Sequence, residues 1–264
     1  MKRWGTGVIA VPILFGIIAY GSAGMFALLI GVATLTGMAE YNRIVFGDGF
    51  RREKTGTFIA ALLIMAAAAA GDGVLMAAVL SFAAMATLML NLLGIGEEGP
   101  DMVRAGKVMT GILYVPLLMS HFILIRQTPE GVRWVFFILV LAFSGDVAAY
   151  YVGRAIGRRK LIPRVSPGKT VEGTIALVAG SVAGSLLFKQ FFFPQLSVPH
   201  AVILGFVGST IGQLGDLCES ALKRSAGVKD SGAILPGHGG ILDRLDCLMF
   251  IAPFVYYYQV FIIR

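Results

Sequence analysis

Nine apolar runs, each long enough or nearly long enough to cross a bilayer, follow one another along this chain with short polar connections between them. They cover roughly residues 4–20, 22–40, 56–71, 73–94, 106–125, 132–153, 172–193, 199–217 and 246–263. A membrane-crossing helix needs about 17–25 residues, fewer where a polar site trims one edge. Inside lipid every backbone N–H and C=O must be paired within the protein, which leaves helices and closed barrels. Barrel strands would alternate apolar and polar residues, and no such pattern occurs. The expected fold is therefore all-α: a polytopic integral membrane protein with about nine transmembrane helices. Charged residues make up only 14% of the chain, against about 25% in soluble domains. One membrane-embedded domain spanning 1–264 is the simplest organisation, with N-terminal helices over 1–130 and the chemistry-bearing region over 131–264. Gly, Ala and Ser recur at spacings that permit close helix packing in lipid. The first two runs, divided only around Gly21, predict a tight helical hairpin, and the third is Ala-rich.

Basic residues orient the chain. With the N-terminus in the cytoplasm, 18 of the 22 Lys and Arg residues fall on that side, in Lys2–Arg3, Arg43–Lys54, Arg104–Lys107, Arg154–Lys169 and Lys223–Arg244. Arg126, Arg133, Lys189 and Arg264 fall on the other. This asymmetry predicts a cytoplasmic N-terminus, and it places the loops 154–171 and 218–245 together on the cytoplasmic face. The net charge of +7 lies in these short loops, where it suits anionic lipid and phosphorylated substrates rather than nucleic acid. Lys2-Arg3, an apolar stretch and Gly21-Ser22-Ala23 also fit a secretory signal peptide. That stretch is long and another span follows at once, so an uncleaved first helix is expected. Cys218 and Cys247 form neither a disulfide framework nor a CxxC pair and read as packing residues.

The segment Ser220–Asp246 concentrates ionisable groups that the rest of the chain avoids: Lys223, Arg224, Lys229, Asp230, His238, Asp243, Arg244 and Asp246. Carboxylates at i, i+3 beside Lys and Arg suit a divalent cation that holds a phosphate. The His-Gly-Gly turn allows backbone amides to approach an anion. Asp216 and Glu219, at the end of the eighth run, share the i, i+3 spacing of Asp243 and Asp246. Two helix ends with paired carboxylates on one membrane face predict a Mg²⁺ site, since Mg²⁺ takes few carboxylates plus water and phosphate oxygens. His238 reads as a phosphate donor or a turn residue; with three histidines, none suitably spaced, zinc is not expected.

Two further features lie upstream. Asp146, near the end of the sixth run, is costly in a membrane unless it faces a cavity or pairs with a cation; a salt bridge to Arg154 and a place in the site are both open. In RVSPGKTVEG, Ser166-Pro167-Gly168 predicts a turn, Lys169 and Thr170 are phosphate-binding types, and Glu172 suits the N-terminal dipole of the next helix. Gly168-Lys169-Thr170 is not a nucleotide-binding P-loop, because the upstream glycine and the preceding strand are missing.

The 220–246 segment resembles the signature of the CDP-diacylglycerol synthases, or phosphatidate cytidylyltransferases. The matching residues are Ser220, Lys223-Arg224, Lys229-Asp230, Pro236-Gly237-His238-Gly239-Gly240 and Asp243-Arg244-Leu245-Asp246. The likeness continues through Asp216, SPGKTVEG and GDVAAYYVGRAIGR, covering roughly 140–250; the first 130 residues match only in being hydrophobic. Gly168 departs from the family, which usually carries a second Lys there, and implies a weaker hold on a phosphate. The resemblance implies transfer of CMP from CTP to phosphatidic acid with Mg²⁺, a second cation being possible, by a homodimer in the cell (inner) membrane whose active site faces the cytoplasm. It casts Asp216, Asp243 and Asp246 as metal ligands. Lys223, Arg224, Lys229 and Arg244 would hold triphosphate and lipid phosphate, helped by Lys169 and Thr170, while Asp230, Glu172 and Asp146 would organise them. A transporter would instead carry acids near mid-membrane in several spans. CDP-alcohol phosphotransferases would show D-x-x-D-G-x-x-A-R, which is absent, and an inert scaffold gives no reason for so dense a charged segment.

Overall fold

The computed structural model describes residues 2–93, 101–232 and 239–263. Among these residues each apolar run becomes one continuous helix: α1 Lys2–Tyr20, α2 Ala23–Phe46, α3 Arg51–Ala69, α4 Gly73–Leu93, α5 Met102–Gln127, α6 Gly131–Ile156, α7 Val171–Phe192, α8 Val198–Ser225 and α9 Leu242–Ile263. Seven of them, α2 and α4 to α9, are long and apolar enough to cross a membrane. Helix α3 opens on Arg51-Arg52-Glu53-Lys54, which lowers its apolarity. Among the described residues the regular structure is helical but for one short antiparallel hairpin, β1 Lys160–Ile162 with β2 Ser166–Thr170. Here the sequence expectation needs correcting: Ser166-Pro167-Gly168 is strand, and the chain turns just before it, where the Val165 amide bonds the Ile162 carbonyl at 3.1 Å. Pro167 is tolerated because a two-stranded ribbon consists of edges.

Three helices run past their apolar runs. Helix α8 continues to Ser225 because LCESALKRS is helix-forming and pairs Glu219 with Lys223 at i, i+4. It stops at Gly227, whose φ of +70° reverses the chain. Helix α2 continues through Glu40 and Arg43 to Phe46, and α9 begins at Leu242, so Asp243 and Asp246 lie in its opening turns.

The chain divides into two compact units, Met1–Gln127 with Ser231–Leu242, and Thr128–Asp230 with Asp243–Arg264. In the first, Phe26, Met38, Tyr41, Ile64, Ile112 and Ile123 are buried. The Tyr41 hydroxyl donates to the Lys107 carbonyl at 2.8 Å, and Asn42 donates to Thr57 at 2.9 Å to join α2 and α3. Helix α5 carries a π-turn, Leu113–Leu117, around Pro116, which cannot donate to the ladder. Helix α4 leaves Val74, Phe82 and Leu92 exposed, an apolar outer face suited to lipid.

In the second unit small residues bring helix backbones together. A Cβ on Gly180 of α7 would sit 2.5 Å from Ala148 Cβ and 2.8 Å from the Ser144 carbonyl oxygen of α6. Ser181 crosses the same seam, donating to the Leu141 carbonyl at 2.8 Å. Trp134 meets Phe193 edge-on at 4.8 Å, closing the α6 and α7 end of the unit. Gly215 of α8 does for α9 what Gly180 does for α6: a Cβ there would lie 2.7 Å from the Asp246 carbonyl oxygen. Its chain neighbour is Asp216, so this close approach brings two of the predicted acids to one place.

Candidate active site

Lys169, the fourth residue of β2, enters the second unit with its ammonium 2.6 Å from Asp216 Oδ2. The hairpin aims it. Thr170 caps α7, its hydroxyl accepting the Gly173 amide at 3.1 Å, and is buried. Glu172, one residue into α7, accepts the Arg158 amide at 3.0 Å and the Arg159 amide at 3.3 Å. The end of α6, the hairpin and the start of α7 are thus tied together around Lys169.

Asp216 acts through its charge on Asp146 of α6 and on Asp246 of α9, and Lys169 acts on both as well. Asp146, Lys169, Asp216, Gln213, Thr170 and Tyr150 line a cavity of about 340 Å³, within the roughly 300–1,000 Å³ usual for small-molecule sites. A pocket of about 20 Å³ adjoins it, lined by Asp146, Lys169, Ser209, Gln213, Asp216 and Cys247, enough for about one water. Gln213 donates to Thr174 Oγ1 at 3.0 Å. Arg154 donates to the Tyr150 hydroxyl at 2.9 Å, which leaves Asp146 to the cavity.

A second charged group lies on the same two helices. Lys223 Nζ is 2.5 Å from Glu219 Oε2 and 2.5 Å from Asp243 Oδ1. Its carboxylates are nearly sealed, with side chains 1% and 10% exposed. The expected i, i+3 pairs therefore separate. Asp216 turns to Lys169 while Glu219 turns to Lys223; Asp246 joins Asp216 while Asp243 joins Lys223. One helical turn displaces neighbours enough that each expected pair divides between the two groups. Lys223 and Asp243, expected on phosphate and metal, are paired with each other here.

The remaining expected residues lie around the helix ends. Arg224 donates to the Val165 carbonyl at 3.4 Å and the Val228 carbonyl at 3.0 Å, joining the hairpin to the end of α8. Ser166 pairs with Ile162 in the ribbon. Lys229, Asp230 and Arg244 are exposed. His238, with Pro236 and Gly237, lies outside the described residues. Sequence reasoning missed Gln213, Thr174, Tyr150 and Glu40. Gln213 and Thr174 were recognisable as polar residues inside apolar runs, and Glu40 as a carboxylate closing one.

Among the described residues no three His, Cys, Asp or Glu side chains form a ready-made metal cage. Mg²⁺ does not need one, since it is held by one or two carboxylates plus water and substrate phosphates. Asp146 and Asp216 on the cavity, with the amide of Gln213 beside them, are hard oxygen donors of that kind.

Long apolar helices with a cavity among them lined by Asp146, Lys169 and Asp216 define an integral membrane protein with a charged site. The sequence profile of the cytidylyltransferase family matches residues 1–262, and the chain belongs to that family. A Bacillus subtilis protein named phosphatidate cytidylyltransferase is 43% identical over 159 residues, 58% of each chain. Proteins of the same name are similar over 94% of each chain, at 33% identity in Staphylococcus epidermidis and 32% in Staphylococcus haemolyticus.

Proposed function

We infer that this chain transfers CMP from CTP to phosphatidic acid, forming CDP-diacylglycerol and releasing pyrophosphate. A phosphate oxygen of phosphatidate forms the new bond to the α-phosphorus of CTP, and the bond from that phosphorus to the bridging oxygen breaks. The nucleophile is already anionic, so no strong general base is required. What the protein must supply is alignment and charge neutralisation, because two polyanions repel more strongly as water is excluded.

The observation that carries this reading is the Lys169–Asp216 pair beside Asp146 on one cavity, with Asp246 of α9 within reach of the charge of both partners. Lys169 would hold a phosphate, and Thr170 and Glu172 hold Lys169 in place. Arg224, Lys229 and Arg244 supply further positive charge around the ends of α8 and α9, with Asp230 beside Lys229. Mg²⁺, with room for a second cation, would be held by Asp216 and Asp246 with Asp146 alongside. When bound, it offsets triphosphate charge and withdraws electrons from the reacting phosphoryl group. Asp243 serves this arrangement through Lys223.

We also propose that all nine helices cross the cell membrane, with the N-terminus and the Lys169 cavity on the cytoplasmic side. The distribution of Lys and Arg supports that orientation, and the family resemblance supports a homodimer. Detergent-solubilised protein given radiolabelled CTP and phosphatidic acid should produce a labelled nucleotide-lipid and pyrophosphate only with a divalent cation. Intact CTP after prolonged incubation would overturn the reading. Cysteines introduced at Lys229 and Arg159 should be labelled from the inner face of sealed cells or vesicles; labelling from outside would reverse the orientation.

A further inference from the structure

Glu40 of α2 is 1% exposed, and a carboxylate so buried is costly unless donors surround it. Among the described residues Ser231, Ile241 and Leu242, in one distant segment of the first unit, supply donors to it. Oε2 accepts from Ser231 Oγ at 3.1 Å and from the Leu242 amide at 2.9 Å, and Oε1 accepts from the Ile241 amide at 3.0 Å. One turn along α2, Arg43 Nη2 donates to the Ser231 carbonyl at 2.7 Å. Two glycines make room for the contact. A Cβ on Gly232 would lie 2.8 Å from Glu40 Cδ and 3.0 Å from Arg43 Nη2, and one on Gly240 would lie 2.6 Å from Glu40 Oε1.

The chemistry of these donors gives the contact its meaning. The amides at the start of a helix have no intrahelical acceptor, and a negative charge there is favourable. Glu40 therefore caps α9 from another helix while holding Ser231 at the far end of the same segment. One carboxylate thus holds Ser231 against the start of the helix that continues into Asp243 and Asp246. We propose that Glu40 is a positioning residue for the transfer reaction, holding Ser231 and the start of α9 in the arrangement turnover requires. This rests on the functional reading above.

Glu40→Gln keeps the shape but turns an NH₂ group toward donors, so part of the clasp opens. Gly240→Ala pushes on the carboxylate from the other side. In both, kcat per folded molecule should fall about tenfold or more, the factor equivalent to about 1.4 kcal/mol, with KM for CTP changed less than about threefold. Hydrogen exchange at the Ile241 and Leu242 amides should quicken by a similar factor, while α6 and α7 amides stay as in the wild type. Ser231→Ala, which removes one hydrogen bond, should cost about two- to tenfold in kcat. A purely structural role would lower the thermal midpoint and leave kcat per folded molecule unchanged, which would overturn the proposal, as would wild-type exchange at Ile241 and Leu242 in Glu40→Gln. Should that variant not fold, Ser231→Ala and Glu40→Asp decide the matter by the same two readouts. Wild-type protein that makes no nucleotide-lipid would instead overturn the functional reading and the catalytic half of this proposal; it is recognised because exchange at the two amides would still respond to Glu40→Gln.

Discussion

Two charged groups made from the same residue types meet at helices α8 and α9, one joined there by Lys169 of β2 and Asp146 of α6, and they differ in burial. Around Lys223 two carboxylates close on one ammonium, and the side chains of Glu219, Lys223 and Asp243 are 1%, 11% and 10% exposed. Around Lys169 the ammonium meets Asp216 with side chains 22% and 33% exposed, and Asp146 and Asp246 stand nearby. The first group is nearly sealed and joins α8 to α9. The second opens on a cavity, where a cation and a phosphate would be held on the reading proposed above. Burial, rather than residue type or spacing, separates the two groups.

Chelation of divalent cations tests this contrast most severely: turnover should fall to background and return with Mg²⁺, while the Lys223 group, measured by thermal midpoint, should not respond. Lys223→Met leaves Glu219 and Asp243 buried without their cation and should cost about 3–5 kcal/mol of stability, read as a lower thermal midpoint in detergent. Adding Glu219→Gln and Asp243→Asn should recover most of it. A Lys223→Met protein that stayed stable but lost CTP turnover would break the comparison and return Lys223 to the phosphates, as its position in the signature suggested. Asp216→Asn and Asp246→Ala should each lower kcat about 10²-fold or more with little change in midpoint; normal turnover in purified Asp246→Ala would remove it from the site. Thr170→Val, which deletes the α7 cap, should cost only about 1 kcal/mol and change kcat/KM by less than Lys169→Ala does.

All nine helices among the described residues were legible as apolar runs, because hydrophobic length and internal backbone pairing are properties of a segment by itself. Their ends were less so. Helices α2, α8 and α9 extend into charged sequence, where apolarity fades but helix propensity and i, i+4 pairing continue, as Glu219–Lys223 shows. The Ser166–Thr170 strand was hidden by a Pro-Gly pair that ordinarily marks a turn. Within the site, Asp216, Asp246 and Lys169 were recognisable as residue types too costly to place in lipid without purpose. That Asp146 would join them was left open between a site role and an Arg154 pair, and Glu40 passed unnoticed at the end of a run. Its partners lie about two hundred positions further on, at Ser231 and Leu242, beyond any local pattern.

By itself the sequence determined that the chain would form long membrane-compatible helices and gather its ionisable groups between and at the ends of the later ones. In lipid, backbone pairing and the cost of charge leave few other outcomes. Only the tertiary structure decided which carboxylate meets a base from another element. That choice depends on how closely helices approach at residues such as Gly180 and Gly215, which sets Lys169 against Asp216 and Lys223 against Asp243.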